Sequence, residues 1–305
     1  MAKKNKYGRD IHGLLVLDKP LGLSSNHALQ RVKRIFNAKK AGHTGTLDPL
    51  ATGVLVVCFG RATKIADHLM EASKSYHTVA KLGEQTDTGD KEGAVIDQAQ
   101  VFQQHRDELT KTAKSFEGDI QQIPPMYSAI KKDGVPMYKL ARQGKQVERP
   151  SRQVRIYSIE VSNIENEKAA MTVHCSKGTY IRTLVEDIGV KLGCLAHIEE
   201  LRRLTVGEFG QNFKMYTIEE LEQLSQHGSE TLDRVLLTIE TAFYQYPKYE
   251  MKNGLILSLE QGGRIRFPAD SNSRYIRIYD TNRVFRGLGE RKIDGFVHFS
   301  KFCLS

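Results

Sequence analysis

Apolar residues along the chain fall into short runs whose spacing changes from one stretch to the next. "GLLVLDKP" (13–20) is a continuous apolar run stopped by a proline, which predicts a strand. Ser24 and Ser25 can then cap a helix through about Asn37, with Leu29, Val32 and Phe36 at helical spacing and Arg31 and Arg34 off that stripe. "VLVVCFG" (54–60) is short and β-branched, as a buried strand is. Residues 61–74 read as a helix, and "YHTVAKLG" (76–83) alternates like a strand. Residues 101–118 form an amphipathic helical pattern closed by Gly118. Strands are expected at about 153–162 and 170–175, a glycine-terminated helix at 179–193, and another helix near 217–226. From about 248 onward the runs shorten, as in "RYIRIYD" and "GFVHFS", with Gly, Asn and Asp between them. That texture predicts a small β-rich domain of about 58 residues.

Two stretches escape this pattern. "TDTGDKEG" (86–93) is turn chemistry. Residues 121–150 mix prolines, glycines, Met, Tyr and many Lys/Arg without periodicity. A long irregular basic segment inside a folded chain is usually functional.

Composition narrows the function. With 305 residues, 40% of them hydrophobic, the chain can bury a sizeable core. No apolar run approaches a membrane span, and the polar, basic "MAKKNKYGRD" start has no secretory apolar region. Four widely spaced cysteines, without a CxxC pair, disfavour disulfides and a zinc site, so a reducing cytoplasm is expected. Net charge is +9, but unevenly placed: residues 1–42 carry +8 and 248–305 carry +5, leaving the middle mildly acidic. Basic ends around an acidic body suggest a polyanion held from two sides.

The common cofactor signatures are missing. There is no GxxxxGK[ST] loop, no GxGxxG after a strand, no HExxH and no GxSxG elbow. No cofactor and no metal are therefore expected, and any chemistry falls to ordinary side chains. "GHTGTLDPLATG" (42–53) then stands out, because Asp48 sits between Leu47 and Pro49-Leu50. Glycines at 45 and 53 permit tight turns, and Pro49 fixes a dihedral beside the carboxylate. Such a loop can hold a carboxylate still and partly dehydrated, as a nucleophile or base requires. A capping or turn aspartate is the plainer alternative. Arg182, if buried, needs an acidic partner, and Asp48 would suit; on the surface it needs none. By residue type alone Tyr76 and Leu201 read as packing residues and His43 as a loop histidine bonded to backbone.

"GHTGTLDPLATG" resembles the catalytic motif of bacterial tRNA pseudouridine-55 synthases, the TruB family. "GLLVLDKPLGLSSNHALQRVKR", "KSYHTVAKLGEQTDTGD", "IPPMYSAIKKDG" with "YKLARQG", and "CSKGTYIRTLVEDIG" with "LRRLTVG" are similar to that family in the same order, over roughly 10–210. The resemblance implies an α+β fold. Residues 1–247 would be a catalytic domain, a mixed or antiparallel β-sheet flanked by helices with an RNA-gripping insertion at about 121–150. Residues 248–305 would be a small, β-barrel-like PUA domain. It implies Asp48 as the catalytic aspartate, Tyr76 as the tyrosine against the target uracil, and Arg182 as the aspartate's partner. Tyr180 and Leu201 would line the uracil pocket, and His43 would replace a flipped base in the T-loop. Lys19 and Lys131, the latter within the 121–150 insertion, would grip RNA. The implied activity is cofactor-free isomerisation of uridine-55 to pseudouridine in tRNA, by a monomer that meets the T-stem-loop and no membrane.

Overall fold

The computed structural model describes residues 8–128, 131–132, 134–141, 143, 147–266 and 272–299. In chain order the first half gives β1 (Gly13–Lys19), α1 (Ser25–Ile35), β2 (Ala41–His43), β3 (Ala51–Phe59), α2 (Ala66–Glu71) and β4 (Lys74–Leu82). A small hairpin of β5 (Glu84–Thr86) and β6 (Val95–Gln98) follows, then α3 (Gln103–Lys114), β7 (Gly118–Gln122), β8 (Lys131–Lys132), β9 (Val135–Pro136) and α4 (Met137–Ala141). The second half continues with β10 (Arg152–Glu165), β11 (Lys168–Cys175), α5 (Ile181–Leu192), β12 (Ala196–Val206), α6 (Ile218–Gln226) and α7 (Ser229–Asp233). Last come β13 (Lys248–Glu250), α8 (Asn253–Glu260), β14 (Ile265–Arg266), β15 (Tyr275–Tyr279), β16 (Phe285–Arg291) and β17 (Phe296–Phe299).

Eight strands form the main sheet, in the order β1-β3-β12-β4-β11-β10-β7 with β2 also on β3. Its pairings are antiparallel except β12 on β3, so the sheet is mixed. Alternate residues of β3 go to opposite faces, as a strand's period of two dictates. Leu55, Val57 and Phe59 pack with Leu29, Val32 and Phe36 of the α1 region, while Val54, Val56 and Cys58 pack on the other face with Ile65, Leu69 and Phe243. A further apolar cluster joins Tyr76, Ala80 and Leu201 to Ile181, Leu184 and Ile188 of α5.

β12 was not evident from the sequence, which there reads "AHIEELRRLTV". Both of its arginines are held by partners on neighbouring strands. Arg203 is 1% exposed, and its Nε donates to the Val54 carbonyl at 2.7 Å. Arg202 makes a two-pronged pair with Asp18 at 3.0 and 2.7 Å. Gly53 makes the central crossing possible. Its φ is +99°, and a Cβ there would stand 2.2 Å from the Arg203 carbonyl oxygen. Only glycine fits both conditions. The expected helix at 61–74 is shorter: a 3-10 turn over Gly60–Ile65 precedes α2, and β4 already begins at Lys74.

The C-terminal residues form a five-stranded sheet, β13-β15-β16-β17-β14, over a core of Met251, Ile256, Leu259, Ile276, Ile278 and Val297. This curled sheet fits the expected PUA-like fold. It does not stand apart. Leu288 of β16 is fully buried in the cluster that holds Phe243 and Phe209, and Arg277 donates to the Glu240 carboxylate at 2.9 Å. Leu288→Ala should therefore cost about 2–4 kcal/mol of global stability, because it opens a cavity in a cluster shared by both sheets. Urea unfolding followed by circular dichroism measures this. A loss confined to a minor early transition would show that the C-terminal sheet is energetically separate.

Candidate active site

Asp48 lies on the loop between β2 and β3, and neighbouring segments pin that loop residue by residue. The Ser25 hydroxyl, at the start of α1, accepts from the Leu47 amide at 2.7 Å and donates to the Leu47 carbonyl at 3.0 Å. Gly22 N–H donates to the Pro49 carbonyl at 2.8 Å, and Ala51 N–H closes a turn onto the Asp48 carbonyl at 3.1 Å. Leu47 and Leu50 are each 4% exposed, so the apolar residues around Asp48 are anchors. Arg203 reaches under the loop to the Gly45 carbonyl at 3.2 Å.

Lys19, which the resemblance implies as an RNA-gripping residue, has a completely buried side chain, and its ammonium donates to the carbonyls of Leu23 (2.6 Å), Pro20 (2.9 Å) and Pro49 (3.5 Å). It fastens β1 to the Asp48 loop. Burial pushes its pKa down to about 8, against the opposing pull of the Asp48 charge.

Arg182 enters from the first turn of α5, with its side chain only 4% exposed. One terminal nitrogen lies 3.0 Å from an Asp48 oxygen and donates to the Tyr127 carbonyl at 2.7 Å. The other donates to the Thr88 carbonyl at 2.8 Å and to Asp90 at 3.4 Å. Asp90 is 4% exposed and was not singled out from the sequence, where "TDTGD" read as turn chemistry. It is that too: Thr88 Oγ1 donates to its carboxylate at 2.7 Å. The signal that could have found it is a second acidic group beside a glycine in a turn, which many turns share.

The guanidinium, the carboxylate and two apolar walls enclose a small pocket of about 100 Å³. Asp48, Tyr76, Tyr180, Arg182 and Leu201 all line it, together with Thr46, Leu47, Thr179 and Ile181. Tyr76 and Leu201 are 9% and 8% exposed, so their free surface is the pocket wall. Tyr76 is the cross-strand partner of Arg203. Burial raises the Tyr76 phenol pKa, with the Arg203 charge opposing, so the hydroxyl stays protonated near neutrality. For Asp48 burial pushes the pKa up, Arg182 pulls it down, and the Asp90 charge adds to the rise. The carboxyl is a third exposed and directly paired with Arg182, which keeps the ionised form accessible.

His43 ends β2 and does not line this pocket. Burial lowers its pKa, so the ring is neutral near pH 7, and its Nδ1 is buried without a partner. The Lys131 side chain lies outside the described residues. Among the described residues no cluster of His, Cys, Asp or Glu is placed to hold a metal, and no helix is long and apolar enough to cross a membrane.

The comparison with known proteins meets the same elements. Residues 33–181 match the sequence model of the TruB family pseudouridylate synthase (N terminal domain), and 182–244 match the tRNA pseudouridylate synthase B C-terminal domain. The chain belongs to the TruB family. It is 47% identical to tRNA pseudouridine synthase B of Nitrosococcus oceani, over 97% of this chain and 96% of that one. With the protein of the same name from Ectopseudomonas mendocina it shares 48%, over 97% of both. Among solved structures, the Cbf5-Nop10-Gar1 complex contains a chain that is similar with a TM-score of 0.70 and 28% identity, covering 91% of this chain and 78% of that one. An H/ACA RNP bound to a substrate RNA containing 2'-deoxyuridine shares the fold, with a TM-score of 0.69 at 24% identity over 100% and 90% of the two chains. As a TruB family member the chain is a pseudouridine synthase, an isomerase.

Two outcomes test this geometry. Arg182→Lys keeps the charge but cannot serve two carboxylates and two carbonyls with a planar fork. The single-turnover rate should fall at least about a hundredfold, the scale of a misplaced reacting group. A rate within threefold of the parent would show that charge alone suffices. The second outcome concerns Lys19. Its pKa is about 8 folded against 10.5 unperturbed. Between those values the unfolded chain holds a proton that the folded protein has released, so this lysine makes stability rise with pH across that window. Relative to Lys19→Met, the native protein should gain on the order of 2–3 kcal/mol from pH 8 to 10.5. Urea midpoints at both pH values measure it. Parallel pH trends in the two proteins would mean that Lys19 does not titrate there.

Proposed function

We propose that this protein isomerises uridine-55 in the T-loop of tRNA to pseudouridine, with Asp48 as the reacting carboxylate and the target base turned out of its stack into the pocket. The observation that carries this reading is the Asp48–Arg182 pair, at 3.0 Å, beside a pocket walled by Tyr76 and Leu201. The name of the relatives at 47% and 48% identity, tRNA pseudouridine synthase B, supports the substrate class.

The reaction breaks the N1–C1′ glycosidic bond and forms a C5–C1′ bond. The proton on C5 is lost and N1 finishes protonated, so no electrons enter or leave. An ionised Asp48 can attack C1′ or C6, or take the C2′ proton; each route starts from a carboxylate held at one place. Arg182 supplies that placement and moderates the rise that burial imposes on the Asp48 pKa. Extruding a base costs a few kcal/mol, and an aromatic wall returns part of it. The Tyr76 ring gives that wall, and its protonated hydroxyl can hand over or receive a proton at the base. Splayed loop bases are the usual targets of sequence-specific RNA recognition. A neutral His43 imidazole can stack where the extruded base has left, without the cost of burying a charge.

Asp48→Asn keeps the shape and removes the negative charge. On a synthetic T-stem-loop its single-turnover rate should drop at least about a thousandfold while binding stays within a few fold. Carbodiimide labelling reads the product and its position. Activity within tenfold of the parent, or product at a different uridine, would sink the reading.

A further inference from the structure

The chain leaves the main sheet after β7 and returns at β10, and the two points of departure face each other. Gln122 ends β7, Arg152 begins β10, and the two are cross-strand partners. Both turn toward the short stretch that starts α5. The Gln122 carboxamide accepts at Oε1 from the Tyr180 amide at 2.7 Å and donates from Nε2 to the Tyr180 carbonyl at 3.0 Å. A backbone N–H can only donate and a carbonyl can only accept, so the amide orientation follows from chemistry. Arg152 lays its guanidinium over the Tyr180 ring, 4.5 Å from its centre, and donates to the Gly178 carbonyl.

Tyr180 is the residue before the first turn of α5, and its own side chain gives that turn no capping hydrogen bond. Arg182 follows two residues later. An error in where Tyr180 sits is therefore passed to the guanidinium that meets Asp48. Gln122 is 1% exposed, so no water replaces its two bonds once they are lost. Losing them would leave a buried donor and acceptor unpaired, which a chain avoids by moving.

We infer that Gln122 and Arg152 are positioning residues for the reaction: from one cross-strand pair they hold Tyr180, and through the first turn of α5 they hold Arg182 in register with Asp48. This rests on the proposed function of the pocket. Neither residue lines the pocket, so both act through α5.

Gln122→Glu gives the decisive test, because its two protonation states differ only in the feature at issue. The neutral carboxyl has one donor and one acceptor and copies the carboxamide. The ionised form turns a bare oxygen toward the Tyr180 carbonyl, and burial raises its pKa above the ordinary glutamate value. Activity relative to the parent should be near normal at pH 6 and fall as the pH rises through that pKa, to about a tenth or less at pH 8.5. Gln122→Met should lose about tenfold in single-turnover rate at every pH. Its affinity for a T-stem-loop carrying cytidine in place of the target uridine should change less than threefold. Because Gln122 and Arg152 act on the same turn, Gln122→Met combined with Arg152→Met should lose less than the product of the single losses.

A pH-independent activity ratio for Gln122→Glu overturns the inference, as does a parental rate in Gln122→Met. If Gln122→Met does not fold, the Gln122→Glu pH comparison decides alone. The parent is run in the same assay. If the parent leaves the stem-loop unmodified, the proposed function fails; if the parent turns over and the variants match it, the positioning role fails.

Discussion

A guanidinium withdrawn from water has to be matched by charge and by hydrogen bonds, or the fold loses several kcal/mol. Arg182 is matched by Asp48 and Asp90 and by the carbonyls of Thr88 and Tyr127. Those partners come from the β2–β3 loop, the turn inside the β5–β6 hairpin and the segment after β7. One cation thus draws together three stretches that the sheet alone would leave to wander. The region is crowded with carboxyls. Glu186 lies four residues beyond Arg182, on the same face of α5, and its pKa is pushed up to about 7 by burial against the opposing pull of Arg182. A partly protonated Glu186 limits the excess of negative charge around Arg182.

The loop that carries Asp48 is held from below by neutral and charged groups alike. Ser25 fixes Leu47 through both of its backbone groups, and Lys19 ties Pro49 to β1. A carboxylate on a surface turn would relax when a substrate arrives. This one has already given up that freedom, as the proposed role of Asp48 requires.

Much of this was legible in the sequence. The short apolar runs at 14–17 and 54–59 became β1 and β3, and the helical stripe of Leu29, Val32 and Phe36 became α1. The oddity of Leu47-Asp48-Pro49-Leu50 resolved into two buried anchors with a carboxylate between them. Other parts were hidden for physical reasons. β12 is a central strand that carries Glu, Glu, Arg and Arg, and its two arginines are answered by Asp18 and by the Val54 and Gly45 carbonyls, residues far off in the chain. Asp90 looked like a turn residue because it is one, and its second role depends on an arginine 92 positions later. Lys19 has the composition of a phosphate ligand. Only three dimensions show that its ammonium is already occupied.

The position of β12 also bears on the order of events during synthesis. β3 and β4 are close in sequence but do not pair; β12 inserts between them, parallel to one and antiparallel to the other. It emerges more than a hundred residues after β4. Until then β3 and β4 expose the unpaired edges that β12 will later occupy, and the contacts that join them are of the long-range kind that form slowly. Leu201, Arg203 and α5 all arrive in that same late portion. A ribosome-bound nascent chain therefore carries the Asp48 motif for most of its translation without a pocket around it, and nucleic acid nearby meets an incomplete enzyme until the sheet is closed.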